Sequence, residues 1–373
     1  MRVAIVHDFM TSLGGGEKVV LTLANALGAE IVTTEVDPQV LRNAGFDGVR
    51  VRGIAKLPRT QPWRTLAASR AFSRLRLDGF DVVVLSGNWA VHAARRHHPN
   101  AYICYTPTRV FYDLRDEWLA GLPILQRPFA RVWTRVHRAW NETTIPFLDR
   151  IIAISRNVQA RVRRYWSRES VVVYPPVPTA QFRHDGVGDF WLDVSRLSYE
   201  KGLDLAVEVF RRLPRERLLV VGGAPRGTDR HAFIRGLRPP SNVEFRDTVP
   251  QGELVDLYAQ CRGVLSTSVD EDFGMTAVEA NASGKVIVAA EGGGYRETQI
   301  EGVTGFLLPA RADAFTDRIA SLTTEDLEGR AERCRAQARK FDARVFVEKM
   351  EALVEGPSRS DEGRRSPIGP ATF

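Results

Sequence analysis

The feature that most constrains the fold is a series of short, wholly apolar runs, each followed by glycines or polar residues. Residues 3–6, 82–85 and 218–221 are typical of these runs. Four consecutive apolar residues without alternation indicate a parallel strand that is covered on both faces, and helical patterns lie between the runs. The sequence therefore predicts an α/β chain built from doubly wound parallel sheets.

A second series of apolar runs and helical patterns, which begins after a break near residue 175, predicts two domains. The chain has 373 residues of which 44% are hydrophobic, and no apolar run approaches the roughly 20 residues that span a bilayer. Pro175 and Pro176 stop regular structure, and a new strand is predicted from Phe190. We expect a first domain over residues 1–175, a second over 176–340 and a disordered tail over 356–373.

The N-terminus and the cysteines predict a cytoplasmic protein. The apolar segment in residues 1–8 is too short for a signal peptide and is soon followed by an acid, so it is interpreted as the first strand. Cys104, Cys261 and Cys334 are far apart and odd in number. This pattern favours unpaired thiols in a reducing compartment over a disulfide framework or a zinc site.

The distribution of charge predicts a polyanionic partner for the first half of the chain. Residues 1–180 contain 25 lysines and arginines against 14 acids, a net charge of +11, whereas the remainder contains 27 against 31, a net charge of −4. Residues 50–76 carry eight of these cations without a single acid. An anionic membrane surface fits this pattern. Nucleic acid is not expected, because no nucleic-acid-binding motif accompanies the charge.

A second basic segment, residues 127–140, is predicted to be an amphipathic helix. Its arginines fall on one face, and its large apolar residues fall largely on the other. Such a helix is typical of a membrane interface, with cationic side chains towards anionic headgroups. A core-packed helix with a solvated arginine stripe is the alternative. The residues concerned are Arg127, Arg131, Arg135 and Arg138 on the first face, and Phe129, Val132, Trp133, Val136 and Trp140 on the second.

Two carboxylates bracket a predicted helix N-terminus late in the chain. Glu271 and Glu279 lie eight positions apart, and a helix is predicted over residues 276–283, closed by Gly284. The N–H groups of residues 273–277 would favour an anion such as a diphosphate. A carboxylate repels a nearby phosphate, so carboxylates on either side of a phosphate are favourable only if each accepts a hydrogen bond from a hydroxyl group of the ligand. A nucleotide sugar has hydroxyls on both sides of its phosphates and fits this arrangement.

Two cations are predicted to serve the same phosphates. Arg196 and Lys201 follow a predicted strand and precede a helix that begins near Leu203. They would stabilise the negative charge that builds on a departing diphosphate, which removes the need for a metal ion. The alternative is a pair of solvated surface cations.

These residues together resemble a known family. The stretch from Glu271 to Glu279 resembles the Glu-x7-Glu signature of retaining GT-B glycosyltransferases of family 4. Residues 194–202 resemble the donor-phosphate segment of that family, and Gly14-Gly15-Gly16-Glu17 resembles its N-terminal glycine-rich loop. The similarity covers roughly residues 1–354. It implies two Rossmann-like domains that face each other across a cleft, with a C-terminal helix over residues 341–354 that packs back on the first domain.

The resemblance also implies a reaction. A mannosyltransferase-like enzyme would move a hexose, with retention of configuration, from a nucleotide sugar to a glycan or lipid-linked acceptor. GDP-mannose is favoured as the donor over UDP-sugars, and no cofactor and no metal are expected. The enzyme would be peripheral on the cytoplasmic, inner face of the membrane.

The roles of individual residues follow from the same resemblance. Glu271 would orient the sugar, Arg196 and Lys201 would neutralise the diphosphate, and Glu279 would hold the ribose diol. Tyr105 occupies the position at which the family commonly has a sugar-contacting histidine. A tyrosine there can bond a sugar hydroxyl but, with a pKa near 10, is no base at neutral pH. The remaining donor-binding residues are Gly15, Gly16, Phe273, Gly274, Met275, Thr276 and Val249, the last in a loop that lines the nucleobase pocket.

Other interpretations are open at this point. Asp270 and Asp272 form an Asp-x-Asp pattern that can hold a metal ion in GT-A transferases. A GT-B sugar-nucleotide epimerase would share the donor site. A non-catalytic membrane-binding or polyanion-binding scaffold would explain the basic first half. His92 is a further candidate for the cleft beyond the first sheet, or is a histidine on a helix surface.

Overall fold

The computed structural model describes residues 1–46, 48–225 and 228–356. They divide into two compact units: unit 1 is Met1–Tyr174 together with the segment that begins at Phe346, and unit 2 is Pro175–Val345. The predicted disordered tail over 356–373 lies outside the described residues beyond Gly356.

Unit 1 is built on a parallel sheet of seven strands in the order β3-β2-β1-β4-β5-β6-β7. Its strands are β1 Val3–His7, β2 Glu30–Thr33, β3 Val51–Gly53, β4 Val82–Ser86, β5 Asn100–Cys104, β6 Arg150–Ala153 and β7 Val171–Val172. Its helices are α1 Gly15–Leu27, α2 Pro38–Ala44, α3 Trp63–Arg74, α4 Arg115–Gly121, α5 Arg127–Glu142 and α6 Arg156–Trp166.

The central strands of unit 1 are apolar because both of their faces are covered. In β1, Ile5 pairs with Ile31 of β2 on one side and with Val84 of β4 on the other, and all three side chains are wholly buried. Each crossover helix begins beyond the carboxyl end of a strand. The N-terminus of α6, for example, is capped by Ser155, whose hydroxyl accepts the N–H of Val158 at 3.0 Å.

Unit 2 contains a parallel sheet of six strands in the order β10-β9-β8-β11-β12-β13. Its strands are β8 Phe190–Val194, β9 Arg217–Val221, β10 Val243–Arg246, β11 Gly263–Ser266, β12 Ile287–Ala290 and β13 Gly305–Leu308. Its helices are α7 Leu203–Arg212, α8 Arg230–Leu237, α9 Gln251–Gln260, α10 Met275–Ala282, α11 Tyr295–Thr298, α12 Ala312–Ser321, α13 Thr324–Glu328 and α14 Ala331–Ala338. The last helix, α15, is Ala343–Glu355, and from Phe346 onward its residues belong to unit 1.

Both sheets confirm the predicted Rossmann-like class. In each sheet the strand order runs outward from a central pair, β1 and β4 in unit 1 and β8 and β11 in unit 2, and all strand pairs are parallel. In such doubly wound sheets ligands bind beyond the carboxyl ends of the strands, at the point where the strand order reverses. The exit loops of β8 and β11 therefore lie where a unit 2 ligand is expected.

A cluster of aromatic rings in unit 1 encloses two histidines. His92 is wholly buried, and its ring centroid lies 4.5 Å from that of Trp140 and 6.3 Å from that of His137. Within the described part of the chain, neither ring nitrogen of His92 has a hydrogen-bond partner. Burial lowers the pKa of His92 to about 3 and that of His137 to about 4. The prediction of His92 as a cleft or helix-surface residue is wrong, because its ring packs inside this aromatic cluster.

These histidines make unit 1 sensitive to acid. In the unfolded chain a histidine has a pKa near 6.5, whereas the folded pKa values are about 3 and about 4. Above pH 6.5 these histidines are neutral in both states and do not change the free energy of unfolding. Below pH 6.5 the unfolded state binds protons that the folded state does not, so the free energy of unfolding decreases as the pH falls. Each histidine weakens folding by up to about 1.4 kcal/mol per pH unit in that window. In urea unfolding between neutral and acidic pH, His92→Phe reduces this slope. His231→Phe, at an exposed position, leaves it unchanged, and an unaltered slope in His92→Phe would contradict the assignment.

Candidate active site

Lys201 and Glu271, predicted from separate motifs, meet at the carboxyl edge of the unit 2 sheet. The Lys201 ammonium donates a hydrogen bond to Glu271 Oε2 at 2.7 Å, and the two side chains are 19% and 21% exposed. Lys201 follows β8 and Glu271 follows β11, and these strands are neighbours. Because adjacent parallel strands end at the same edge, residues 70 positions apart are brought into contact.

The exit loops of β8 and β11 are bonded to each other next to this pair. The Thr267 hydroxyl, which is almost fully buried, lies 3.1 Å from the carbonyl oxygen of Lys201 and 2.8 Å from that of Gly202. Gly202 has φ +65°, and a β carbon there would lie 2.5 Å from the carbonyl oxygen of Thr267. Glycine at position 202 thus permits the close approach that sets Lys201 beside Glu271.

Helix α10 starts one residue earlier than the predicted Thr276, at Met275, with Gly274 as its N-cap. Met275 and Thr276 are partly exposed, so the first turn of the helix lies at the surface of unit 2. Phe273 instead turns inward and packs edge-on against Phe341, with ring centroids 5.6 Å apart. The amides at the helix start are therefore presented at the edge while the preceding side chain anchors the loop.

Glu279 lies deeper than Glu271. Its side chain is 4% exposed, and its Oε2 accepts a hydrogen bond from the hydroxyl of Tyr258 at 2.9 Å. Burial, followed by the neighbouring carboxylate, raises the pKa of Tyr258 well above its ordinary value, so the phenol remains a donor to Glu279. The predicted contact of Glu279 with a ribose diol stays a prediction.

A third carboxyl group, that of Asp193, lies beneath the pair and was not predicted. Asp193 is the fourth residue of β8 and is 2% exposed. Burial raises its pKa to about 6; the Ser195 hydroxyl and the Lys201 ammonium oppose the rise, and the Glu271 carboxylate adds to it. Lys201 is thus a cation set among acidic groups. The sequence signal was an acid inside an otherwise apolar strand.

Arg196 is placed differently from Lys201. Its guanidinium donates to Glu200 Oε1 at 2.7 Å, and its side chain is 65% exposed. The sequence predicted that both cations flank one diphosphate, whereas here Lys201 contacts Glu271 and Arg196 contacts Glu200. The reason is local: Glu200 lies four positions after Arg196 and is an exposed partner within its reach. The role of Arg196 stays a prediction.

The glycine-rich exit loop of β12 supports Glu271 from the other side. The N–H of Gly294 donates to the carbonyl oxygen of Glu271 at 2.7 Å. Gly293 has φ +50°, and a β carbon there would lie 2.1 Å from the same carbonyl oxygen. The loop can therefore lie against the backbone of Glu271 only because position 293 has no side chain.

Gly293→Ala is expected to displace the Glu271 loop. The variant should weaken donor binding at least about tenfold and destabilise unit 2 by roughly 1–3 kcal/mol, because it adds both backbone strain and a clash. Gly302→Ala is the matched control: Gly302 has φ +71° but no atom within 4 Å of an added β carbon. Equal losses of donor binding in the two variants, measured by calorimetric titration, would contradict this function of Gly293.

Val249 lies at the same edge of the sheet. It is partly exposed and belongs to the loop that joins β10 to α9. That loop touches the exit of β9, since a β carbon on Gly223 would lie 2.9 Å from Thr248 Oγ1. Its predicted contact with a nucleobase stays a prediction.

In unit 1, Tyr105 meets the glycine-rich segment. Its hydroxyl donates to the carbonyl oxygen of Gly16 at 3.0 Å and lies 2.9 Å from Ser86 Oγ, which in turn is 3.1 Å from His7 Nδ1. Gly15 and Gly16 are the first residues of α1 rather than part of a loop. Burial raises the pKa of Tyr105 above its ordinary value, so this phenol remains protonated.

Asp8 holds the loop after β4 in place. Its carboxylate accepts the N–H groups of Asn88, Trp89 and Ala90 at 2.7, 2.9 and 2.7 Å. Burial raises the pKa of Asp8 to about 6, although the neighbouring His7 and the three N–H groups oppose the rise. These roles of His7, Asp8 and Ser86 were not predicted from the sequence. The feature that could have indicated them is their position at or just beyond the end of a predicted strand.

Two family models match successive parts of the chain. Residues 13–181 match the model described as Glycosyltransferase Family 4, and residues 180–341 match the model described as Glycosyl transferases group 1. The residues that form the unit 2 site all lie within the second match. No helix within the described residues is both long and apolar enough to cross a membrane.

Curated relatives match over part of their length. A D-inositol 3-phosphate glycosyltransferase of Frankia alni is 36% identical over 153 residues, which is 38% of this chain and 38% of the relative. The gpi3 subunit of the phosphatidylinositol N-acetylglucosaminyltransferase of Schizosaccharomyces pombe is 28% identical over 139 residues, 36% of this chain and 30% of the relative. The chain thus matches well under half the length of either.

Solved structures match over nearly the whole chain. Anabaena HepE, crystallised with UDP and glucose, has a TM-score of 0.72 at 19% identity over 95% of this chain and 99% of its own. WaaG, a glycosyltransferase involved in lipopolysaccharide biosynthesis, has a TM-score of 0.68 at 15% identity over 95% of this chain and 100% of its own. At these identities the likeness shows the fold.

Proposed function

The chain belongs to the GT-B glycosyltransferases of family 4 and group 1, and we propose that it transfers a hexose from a nucleotide sugar to a saccharide or lipid-linked acceptor. The observation that carries this proposal is the contact between Lys201 and Glu271 at 2.7 Å, beside the first turn of α10. A cation, a carboxylate and the amides of a helix N-terminus within one partly exposed site match a ligand that carries both phosphates and hydroxyls.

In the proposed reaction, Lys201 and the amides at Met275 and Thr276 bind the diphosphate. Negative charge on the leaving oxygen increases as the bond to the sugar breaks, so these groups stabilise the transition state more than the bound donor. We infer that Arg196, which is exposed, turns from Glu200 to the diphosphate when the donor is present. Metal independence is part of the proposal, because Lys201 supplies the positive charge, and activity in EDTA tests it.

Glu271 is proposed to accept hydroxyl groups of the transferred sugar and so to fix the position of the ring. It can do so once the Lys201 ammonium bonds the phosphate instead. Glu279, held by Tyr258, is proposed to accept the ribose diol with its remaining lone pairs. Retention of configuration follows the Glu-x7-Glu resemblance and is tested by the anomeric form of the product.

The identity of the donor is a finer part of the proposal. GDP-mannose is favoured by the family resemblance, and UDP-glucose is the first competitor because HepE was crystallised with UDP and glucose. Val249 would contact the base through backbone groups, which bind guanine or uracil without a distinctive side chain. The acceptor is proposed to be lipid-linked at the cytoplasmic face of the membrane.

A thermal-shift screen of the full chain against nucleotide sugars tests the donor site. A donor at 100 times its Kd stabilises the folded protein by about 2.7 kcal/mol, which is a measurable shift. We expect one nucleotide sugar to stabilise the protein and its nucleoside diphosphate to do so less. A chain that no nucleotide sugar stabilises would contradict the proposal.

Product analysis distinguishes the transferase from its alternatives. Incubation of the chain with the stabilising nucleotide sugar and no acceptor should leave the sugar unchanged, apart from slow hydrolysis. Conversion of the free donor to an isomer would identify an epimerase instead. Binding of vesicles without binding of any nucleotide sugar would identify a scaffold.

A further inference from the structure

Helix α5 presents part of its apolar face to solvent. Phe129, Val132 and Val136 are 58%, 62% and 62% exposed, and Ile124 and Leu125 in the turn before the helix are 76% and 94% exposed. Phe129, Val132 and Val136 are spaced by three and four residues and so share one side of the helix, and Ile124 and Leu125 lie in the turn just before its first residue. We call these five residues the apolar stripe. Exposed apolar side chains are common singly, but a continuous stripe marks a binding surface.

The side of α5 that packs on unit 1 combines small and polar residues with two tryptophans: the ring centroid of Trp133 lies 5.8 Å from that of Phe111, and that of Trp140 lies 4.5 Å from that of His92. Its buried residues are Ala130, Thr134, His137 and Asn141. His137 Nε2 lies 3.1 Å from the hydroxyl of Ser69, and its ring lies 4.9 Å from that of Trp89. The alternative of a core-packed apolar face therefore holds for Trp133 and Trp140 but is wrong for the apolar stripe. The fold thus holds the helix by this mixed face and leaves the stripe uncovered in the described part of the chain.

Cationic side chains border the stripe on the exposed half of the helix. Arg131 and Arg135 are exposed and lie beside it. Arg127 and Arg138 have structural contacts: Arg127 donates to the carbonyl oxygens of Leu122 and Ala120, and Arg138 pairs with Glu142 at 2.8 Å. The hydrogen bonds of Arg127 stabilise the turn that contains Ile124 and Leu125. Of the four arginines of the predicted face, Arg131 and Arg135 can therefore contact a ligand, whereas Arg127 and Arg138 make contacts within unit 1.

We propose that the apolar stripe, with Arg131 and Arg135, is a docking surface for a bilayer with anionic headgroups. Apolar side chains enter the boundary between headgroups and acyl chains, and the adjacent guanidinium groups pair with lipid phosphates. A second copy of the chain fits less well, because a symmetric contact would bring the arginines of the two copies together. Nucleic acid fits less well, because phosphates offer nothing to the aliphatic side chains.

Vesicle sedimentation of the full chain tests this surface without any nucleotide sugar. Its outcome is therefore independent of the proposed glycosyltransferase activity. The chain should bind vesicles that contain phosphatidylglycerol more tightly than vesicles of phosphatidylcholine alone, and added salt should reduce the difference. Leu125→Glu and Val132→Glu should each weaken binding to both vesicle types at least about tenfold. Arg131→Gln and Arg135→Gln should each cost about fivefold on the anionic vesicles, the equivalent of about 1 kcal/mol per cation.

Matched controls separate the surface from nonspecific effects. Ile300→Glu places the same charge at an exposed apolar position of unit 2, and Arg335→Gln removes an exposed arginine there. Both controls should bind vesicles as the unaltered chain does, and circular dichroism checks the folding of every variant. The proposal is overturned if the chain does not bind anionic vesicles or if the stripe variants bind them undiminished. It is also overturned if sedimentation equilibrium shows a dimer that Val132→Glu dissociates.

Discussion

Glu271→Gln is expected to reduce kcat/KM for sugar transfer by at least about a thousandfold. The substitution keeps the shape of the side chain but removes the negative charge, so sugar hydroxyls lose a strong acceptor and Lys201 loses the partner that positions it at 2.7 Å. The loss should fall on kcat more than on KM, because the interaction strengthens as the sugar acquires positive charge. Stability should change by no more than about 1 kcal/mol, since the ion pair is partly solvated.

The measurement is the initial rate with labelled donor at saturating acceptor, together with thermal unfolding of the same preparation. Glu291→Gln is the matched control, because Glu291 is an exposed carboxylate on the neighbouring loop that pairs with Arg296 at 3.0 Å. It should retain full activity. A folded Glu271→Gln enzyme with undiminished kcat/KM would remove Glu271 from the site.

Lys201→Met should be nearly as damaging, with a loss of about 100-fold to 1000-fold in kcat/KM. Methionine preserves the length and most of the apolar stem of lysine but cannot neutralise the leaving diphosphate. The variant also leaves Glu271 and the buried Asp193 without the adjacent cation that opposes the rise in the pKa of Asp193. Donor binding should weaken at the same time, because the Lys201 ammonium is proposed to contact the bound diphosphate as well.

Single-turnover rates and donor titrations separate these effects, and Lys340→Met is the control at an exposed lysine. Lys201→Arg should restore part of the activity, since it returns the charge with a different shape. Because Lys201 and Glu271 act as one unit, the double variant should lose far less than the product of the two single losses. Fully multiplicative losses would show that the two residues act independently.

Most of the fold could be predicted from the sequence because its signals are local. Residues 218–221 are all apolar, which is typical of a parallel strand that is covered on both faces. They form β9, Arg217–Val221, in the predicted parallel sheet. The helix after Glu271 was predicted one residue late, because Gly274 provides the N-cap and Met275 begins the helix. Such boundaries depend on capping geometry that composition indicates only approximately.

The candidate site was predicted in part. Lys201 and Glu271 could be proposed because charged residues just beyond the strands of an α/β chain stand out in the sequence, and Glu279 because it lies eight positions after Glu271 in the Glu-x7-Glu pattern. Asp193 and Tyr258 could not, because a single acid in a strand or an aromatic residue in a helix has many ordinary explanations. The contact of Tyr258 with Glu279 at 2.9 Å exists only once α9 and α10 pack together.

The sequence by itself determined the strands, the helices and the loops in which charged and glycine residues stand, because these follow from spacing along the chain. The tertiary structure alone decided which of those residues meet. Strand order set Lys201 beside Glu271, two residues that lie 70 positions apart along the chain. It also decided which side of α5 faces solvent. A helical pattern shows that two faces differ, but only the neighbouring surface determines which face is buried.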